Sequence, residues 1–143
     1  MLTKDDIRGL CALTPTPTKP NGGGWDATDS VDLDEAASLV EKHSHDAFNG
    51  TRLVSVLDEL GITPGAGHTV LVAGVATHIC VACGVIGLSV RNYQPVLVAD
   101  CSASGTERQE ELAYQLFSEH AYSYNVRLST SDRLAFAPTP VHA

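Results

Sequence analysis

The chain has 143 residues, of which 43% are hydrophobic and 18% charged, a composition typical of a soluble globular protein with one buried core. Nine Lys and Arg residues against 17 Asp and Glu residues give a net charge of −8, which argues against nucleic acid or an anionic membrane as a partner. The sequence has no apolar run long enough to cross a bilayer and no pattern of a secretion signal. We therefore expect a cytoplasmic protein whose four cysteines are free thiols.

The first 35 residues differ in composition from the rest and predict an irregular N-terminal segment. The run TPTPTKPNGGG at 14–24 cannot form a helix or a central strand because of its prolines and glycines. An acidic, turn-rich stretch follows it, and nothing in residues 1–35 has the pattern of a core strand. Residues 36–143 are predicted to form a single folded domain.

From residue 36 onward, short apolar runs alternate with segments of helical periodicity. Apolar residues at helical spacing predict a helix over 52–61, with Thr51 as its N-cap and Gly61 at its end. Two further helices are predicted over 80–93 and 106–121, and strands over 37–42, 68–76 and 94–104 and from residue 125. The inward-facing residues predicted for the helix over 106–121 are Leu112, Ala113, Leu116 and Phe117.

Alternating apolar strands and helices predict an α/β fold with a parallel sheet covered by helices. Gly84 and Gly87, in the helix over 80–93, are expected to allow a close approach to the sheet. Ligands of such sheets bind outside the carboxyl ends of the strands. Three of these ends carry polar or reactive side chains: Lys42 followed by HSHDAF, GVATHIC at 74–80, and ADCSAS at 99–104.

Cys80 lies where the strand over 68–76 has ended and the next helix begins. Backbone N–H groups at a helix start stabilise a thiolate and can hold the oxyanion of a tetrahedral intermediate, so Cys80 is a candidate nucleophile. Cys83 is expected to be a core residue one turn further on. The CVAC spacing also leaves open a thiol-redox pair or a zinc site, for which the further donors would be His78, His43 and His45.

The segment EKHSHDAFNGTRLVSVLDELGI, followed by VLVAGVATHICVACGV and PVLVADCSAS, resembles the isochorismatase-like cysteine hydrolases. That superfamily includes nicotinamidases, N-carbamoylsarcosine and ureidoacrylate amidohydrolases, and isochorismatase. The resemblance covers about residues 36–130 in the right order and spacing. It implies a three-layer αβα, doubly wound, Rossmann-like fold with a mostly parallel sheet, and a small-molecule substrate.

The resemblance also implies roles for individual residues. Cys80 matches the nucleophile that attacks a carbonyl carbon in the amidases, and Lys42 matches the lysine that stabilises negative charge beside it. The Val75–Ala76 bond matches a non-proline cis peptide of the family. The backbone amides of Ala76 and Cys80 would then form the oxyanion hole.

Three further residues lie within the same motifs and are candidates for the substrate pocket: Phe48, Thr77 and His78. The metal motif of nicotinamidases, an aspartate and two spaced histidines ahead of the lysine, is absent from this sequence. We therefore expect neither a metal nor another cofactor.

The N-terminus departs from the family pattern. Members begin with an apolar strand that ends in the catalytic aspartate, usually D-x-Q-x-x-F, and no Asp-x-Gln occurs here. The chain thus resembles a member truncated at its N-terminus, with a gap about two strands wide, roughly 10 Å, between the lysine strand and the GVAT strand. Exposed sheet edges favour association, so we expect a homo-oligomer. The N-terminal aspartates all lie in polar settings: Asp5, Asp6, Asp26, Asp29, Asp32 and Asp34.

Three hypotheses about function follow. The first is a hydrolase that uses Cys80 to cleave a C–N bond of an amide or carbamoyl compound through a thioester. The second is a truncated, catalytically impaired paralogue that acts as a binding or interaction module, with Cys80 and Lys42 as relics. The third is a thiol-redox or metal protein that uses the CVAC pair.

Overall fold

The computed structural model describes residues 2–3, 10–13, 38–119 and 124–137, in which parallel strands alternate with helices. The strands are β1 (Leu2–Thr3), β2 (Leu10–Leu13), β3 (Ser38–Glu41), β4 (Thr69–Val75), β5 (Gln94–Ala103), β6 (Arg127–Ser129) and β7 (Phe136–Ala137). The helices are α1 (Leu53–Glu59), α2 (Ala82–Ser89) and α3 (Glu107–Glu119), with a π-helical turn at Thr77–Val81 and a 3-10 turn at Ser131–Arg133.

Every strand pair in the described ranges is parallel. Strand β5 lies between β4 and β6, β2 pairs with β3, and β1 pairs with β7. No hydrogen-bonded ladder joins the β2–β3 pair to the β4–β5–β6 sheet among these strands. The alternation of strands and helices predicted from residue 36 onward is confirmed, and with it the α/β class with a parallel sheet.

Two short strands lie within residues 1–35, where the sequence has no pattern of a core strand. Strand β2 runs parallel to β3 with Leu10 opposite Ser38, and β1 pairs with β7 near the other end of the chain. Both strands are too short to show the alternation that marks a strand in a sequence, and their partners are distant along the chain. The division into an N-terminal segment and a domain at 36–143 stays a prediction.

Helix α1 has the predicted C-terminus and a slightly different N-terminus. Gly61 has a φ of 74°, and the N–H of the next residue bonds to the Leu57 carbonyl at 2.8 Å, as in a Schellman motif. At the other end the N-cap is Arg52 rather than Thr51. The Thr51 hydroxyl still accepts a hydrogen bond from the Leu53 N–H at 3.2 Å, so it satisfies one of the free donors of the first turn.

Two apolar clusters hold these elements together. The first joins β3, the loop that follows it, α1 and α2, and its buried members are Val40, Ala47, Phe48, Leu53, Val56, Leu57, Leu88 and Tyr93. The second lies between β5 and helices α2 and α3, and its buried members are Val81, Ala82, Val85, Leu97, Phe117 and Val126. Within the described part of the chain, no helix is both long and apolar enough to cross a membrane.

Helix α3 buries a narrower stripe than predicted. Ala113 and Phe117 are buried, and Leu116 packs partly against the second cluster. Leu112, however, is 52% exposed, so its predicted inward orientation is wrong. At 100° per residue it lies about 120° around the helix axis from the midpoint of the two buried positions, which is outside the face that β5 and β6 cover.

Helix α2 makes its closest approach to a neighbouring segment at Gly87. A Cβ atom placed there would lie 2.8 Å from Cδ2 of Phe48 and 3.2 Å from Oδ1 of Asp46, whereas a Cβ atom at Gly84 would meet nothing within 4 Å. One turn later, the Arg91 guanidinium lies over the Phe48 ring, 4.3 Å from its centroid. The close approach expected of the two glycines therefore occurs at Gly87 alone, and its partner is the loop after β3 rather than a sheet.

Gly87→Ala is expected to destabilise the protein by about 1–3 kcal/mol, because the new methyl group must displace the Phe48 ring from a packed site. Gly84→Ala, in the same helix, is the matched control. It should be neutral or stabilising by up to about 1 kcal/mol, since alanine favours helix and the site is open. Urea unfolding of both variants measures the difference, and equal stability of the two would contradict the close packing.

Candidate functional site

Lys42 follows directly after β3 and continues its alternation of inward and outward side chains. Leu39 is 45% exposed, whereas Val40 and Lys42 are 1% and 5% exposed, so the lysine points to the same side as the buried valine. Its ammonium group donates a hydrogen bond to the Ser44 carbonyl at 2.9 Å. The alternation of a short strand thus carries a positive charge into a largely buried position.

The loop after Lys42 is held by short-range hydrogen bonds. The Asp46 carboxylate accepts from the Phe48 N–H at 2.9 Å, and the Ser44 hydroxyl donates to the Asp46 carbonyl at 2.9 Å. The Asn49 amide donates in turn to the Ser44 hydroxyl at 3.3 Å. With Phe48 anchored in the first core cluster, these bonds fix the backbone on both sides of His45.

Cys80 lies in the π-helical turn at Thr77–Val81, which follows β4 and leads into α2. Helical structure begins at Thr77, so the predicted helix starts three residues earlier than expected. The half-buried Cys80 thiol contacts the loop after β3, because its Sγ atom lies 3.4 Å from Nδ1 of His45. The structure thus joins the carboxyl ends of β3 and β4, two of the three strand ends that the sequence predicts to converge.

Cys83, in the first turn of α2, belongs to the same group of side chains. Burial raises the pKa of the Cys83 thiol, the negative charge of Asp46 and then of Cys80 adds to that effect, and the positive charge of Lys42 opposes it. These interactions place the lysine, the aspartate and both cysteines within electrostatic reach of one another. Cys80 and Cys83 are free thiols.

The third strand end contacts the turn after β4 through Ser104, which lies against His78, and not through its cysteine. Nδ1 of His78 lies 2.9 Å from the Ser104 hydroxyl, and the Ser104 N–H donates to the Glu110 carboxylate at 2.8 Å. Cys101 is exposed.

The Asp100 side chain, at the same strand end, is hydrogen-bonded to the 3-10 turn after β6. Its carboxylate accepts hydrogen bonds from the hydroxyl and the N–H of Ser131, and the hydroxyl bond is the largest of the effects that lower the pKa of Asp100.

The structure places two of the three pocket candidates in the protein interior. Phe48 is 8% exposed and packs in the first core cluster. Thr77 is fully buried, and its hydroxyl has no hydrogen-bond partner of good geometry among the described residues. Burial chiefly raises the pKa of the nearby Tyr114, and the Thr77 hydroxyl partly opposes this shift. The assignment of Phe48, Thr77 and His78 to a substrate pocket stays a prediction.

The backbone at the end of β4 has the form that the resemblance implies. The peptide bond between Val75 and Ala76 is cis. The Val75 side chain is 72% exposed, and Ala76 begins the turn that carries Cys80. An oxyanion hole formed by the backbone amides of Ala76 and Cys80 stays a prediction.

A cavity of about 430 Å³ lies on the opposite side of β3 from Lys42. None of the predicted site residues lines it; its lining residues are Leu39, Glu41, His43, Gly50, Thr51 and Arg52. The group formed by Lys42, His45, Asp46, Cys80 and Cys83, and not this cavity, combines a candidate nucleophile with charged neighbours. Over the described ranges, no group of three or more His, Cys, Asp or Glu side chains is arranged to hold a metal ion. The N-terminal aspartates named above lie outside the described residues.

His45 is the site residue whose position the sequence did not reveal. The sequence indicates for it only the role of a further zinc donor, yet its ring contacts the Cys80 thiol. The one available signal was its location three residues after Lys42, at the end of a predicted strand. Histidine is common in exposed loops, so this location alone could not separate it from its neighbour His43.

The fold is shared with solved structures of low sequence identity. An isochorismatase-like hydrolase from Alkaliphilus metalliredigens aligns with a TM-score of 0.68 and 24% sequence identity. The alignment covers 87% of this chain and 66% of the hydrolase chain. A nicotinamidase from Staphylococcus aureus matches 87% and 76% at a TM-score of 0.67 and 21% identity. An N-carbamoylsarcosine amidase from Thermoplasma acidophilum matches 87% and 72% at a TM-score of 0.62 and 20% identity. At these identities the likeness concerns the fold alone.

Curated relatives match a smaller part of the chain and carry the name of a different reaction. A trans-O-hydroxybenzylidenepyruvate hydratase-aldolase from Pseudomonas putida is 43% identical over 49 residues, which are 34% of this chain and 15% of that protein. A trans-2'-carboxybenzalpyruvate hydratase-aldolase from Nocardioides sp. is 52% identical over 40 residues, or 28% and 12%. The chain thus spans less than a sixth of the length of these two relatives.

The family model of the isochorismatase domain covers most of the chain. It matches residues 12–131, a range that includes β3 with Lys42, the loop with His45, and the turn with Cys80. The alternation of strands and helices and the parallel strand pairs agree with that match. The chain therefore belongs to the isochorismatase domain family.

Proposed function

We propose that the chain is a hydrolase of a small amide or carbamoyl compound, with Cys80 as the nucleophile. The observation that carries the proposal is the cluster at the carboxyl ends of β3 and β4, where the half-buried Cys80 thiol lies beside a histidine ring and the buried Lys42 acts on the neighbouring Cys83 thiol. Membership of the isochorismatase domain family supports a hydrolase. Proteins of the same fold include a nicotinamidase and an N-carbamoylsarcosine amidase, which suggests the substrate class.

The proposed reaction has two stages. In the first, the Cys80 sulfur attacks the carbonyl carbon, the carbonyl electron pair moves to the oxygen, and collapse of this intermediate expels the amine and leaves a thioester. In the second, water attacks the thioester carbon and the acid is released with return of the proton to the thiol. The Ala76 and Cys80 amides would hold the oxyanion, and the Lys42 ammonium would stabilise the negative charge.

The electrostatics of the cluster favour Cys80 over Cys83 as the nucleophile. Burial and the charges of Asp46 and Cys80 raise the pKa of Cys83, so a smaller fraction of this thiol is ionised at neutral pH. Because the thiolate is the reactive form, this disfavours attack by Cys83. Cys80, in contrast, has Nδ1 of His45 3.4 Å from its sulfur, a nitrogen that accepts a proton when the ring carries its hydrogen on Nε2.

Cys80→Ala is expected to lower the turnover of an amide substrate by at least about 10³-fold, because no thioester can then form. Cys83→Ala is the matched control, since it removes a neighbouring thiol of the same size, and it should retain most of the activity. Ammonia release from nicotinamide and from N-carbamoylsarcosine measures both variants. Turnover by Cys80→Ala at the wild-type rate would rule out the mechanism.

The alkylation rates of the two thiols provide a test that needs no substrate. At pH 7.5, iodoacetamide should modify Cys80 much faster than Cys83. The pKa of the Cys83 thiol is raised above the ordinary cysteine value of 9.0, so its alkylation rate should rise only when the pH exceeds 9.0. Peptide mass spectrometry on Cys80→Ala and Cys83→Ala gives each rate separately. Equally slow thiols would instead support a catalytically impaired relic, and reversible formation of a Cys80–Cys83 disulfide would support a redox pair.

A further inference from the structure

We infer that His45 is the catalytic base that takes the proton from Cys80, in the place that an aspartate holds in the family pattern. The inference rests on the proposed function, because it assigns the proton acceptor for the same nucleophile. Neither the resemblance nor the family match assigns a role to this histidine. It is derived from the contact between the two side chains and from the environment of each.

The geometry is that of a thiol–imidazole hydrogen bond. The distance from Sγ of Cys80 to Nδ1 of His45 is 3.4 Å, which is normal for a bond that involves sulfur. The two residues come from different elements, 35 positions apart in the chain, and both follow the carboxyl end of a parallel strand. His45 is exposed, so its other ring nitrogen is accessible to water and to a leaving group.

The nearest charged groups are engaged in other ways. The Lys42 ammonium is a donor and bonds to the Ser44 carbonyl, so it stabilises an anion and does not accept a proton. The Asp46 carboxylate accepts the N–H of Phe48 and thereby closes the turn of the loop. Both groups act electrostatically on Cys83, on α2, where Asp46 raises the pKa of the thiol and Lys42 lowers it.

The other histidines of the site regions are also paired elsewhere. Nδ1 of His78 lies 2.9 Å from the Ser104 hydroxyl. Nε2 of His43 lies 3.6 Å from a Glu41 carboxylate oxygen, on the exposed side of β3. Among the described histidines, His45 is the one whose ring nitrogen contacts the Cys80 sulfur.

The proton balance of the reaction can be written with this one base. Neutral His45 takes the proton of the Cys80 thiol, and the thiolate forms the bond to the carbonyl carbon. When the C–N bond breaks, the imidazolium returns that proton to the departing amine. In the second stage the neutral ring takes a proton from the attacking water, and the proton passes to the sulfur as the C–S bond breaks.

A histidine base and a carboxylate base predict different pH behaviour. A histidine changes its charge near neutral pH, whereas a carboxylate remains ionised well below it. A histidine base should therefore give the rate of the first chemical step a pH dependence near neutrality that a carboxylate base would not give. The other titratable groups of the cluster, Lys42, Asp46 and Cys83, are unchanged in the His45 and His43 variants whose turnover and pH profiles are compared below.

The experiment compares His45→Gln with His43→Gln, which removes an exposed histidine from the same loop. His45→Gln should lower the turnover of nicotinamide or N-carbamoylsarcosine by about 10²–10⁴-fold, the usual contribution of a general base, and should remove the inflection near neutral pH. His43→Gln should keep both the rate and the pH profile. Because His45 is exposed, free imidazole should restore part of the activity of His45→Ala, which a purely structural role of the side chain would not allow.

Alkylation separates failure of this inference from failure of the proposed function. In a Cys83→Ala background, the rate at which iodoacetamide modifies Cys80 at pH 7 should fall at least about tenfold when His45 becomes Gln, because the thiol loses its proton acceptor. At high pH the two rates should converge. If Cys80→Ala abolishes turnover but His45→Gln changes neither the pH profile nor the alkylation rate, the inference is wrong and the cysteine mechanism stands. If Cys80→Ala retains turnover, the proposed function itself is wrong.

Discussion

The contact between Phe48 and Gly87 is the constraint on which the candidate site depends. Strand β3 is hydrogen-bonded to β2, and no ladder connects it to β4 among the described strands. Among the described residues, side-chain packing positions the Lys42 loop relative to Cys80. The Phe48 ring supplies this packing, since it enters the first core cluster and touches the backbone of α2 at a position where no side chain fits.

The same packing explains how the two strand ends meet despite the gap about two strands wide that the sequence predicts between the lysine strand and the GVAT strand. The structure brings the two strand ends together through the first core cluster, in which Val40 and Phe48 from one side meet Leu88 from the other. A packed core fixes the relative position of two segments as effectively as a ladder of backbone hydrogen bonds, because close-packed side chains tolerate little displacement.

Local signals predicted most of the elements, and long-range pairing explains the remainder. The end of α1 at Gly61 and the strands β4 and β5 depend on nearby residues, so the sequence located them within a few positions. Strand β2 could not be found in this way, because its hydrogen bonds go to a segment 28 residues away. The exposure of Leu112 likewise depends on how α3 sits on its sheet, which the apolar pattern of the helix does not fix.

The candidate site shows the same difference between local signals and long-range contacts. Cys80 and Lys42 lie in sequence motifs and were predicted, whereas the role of His45 depends on a contact across 35 residues that no motif records. That contact bears on the missing D-x-Q segment. If the thiol proton goes to the imidazole, then nucleophile, base and lysine all lie between residues 42 and 80, held by β3, β4 and the packing between them. The hydrolytic chemistry would then require no aspartate from the N-terminal strand, and the departure from the family pattern would exchange the base while leaving the nucleophile in place.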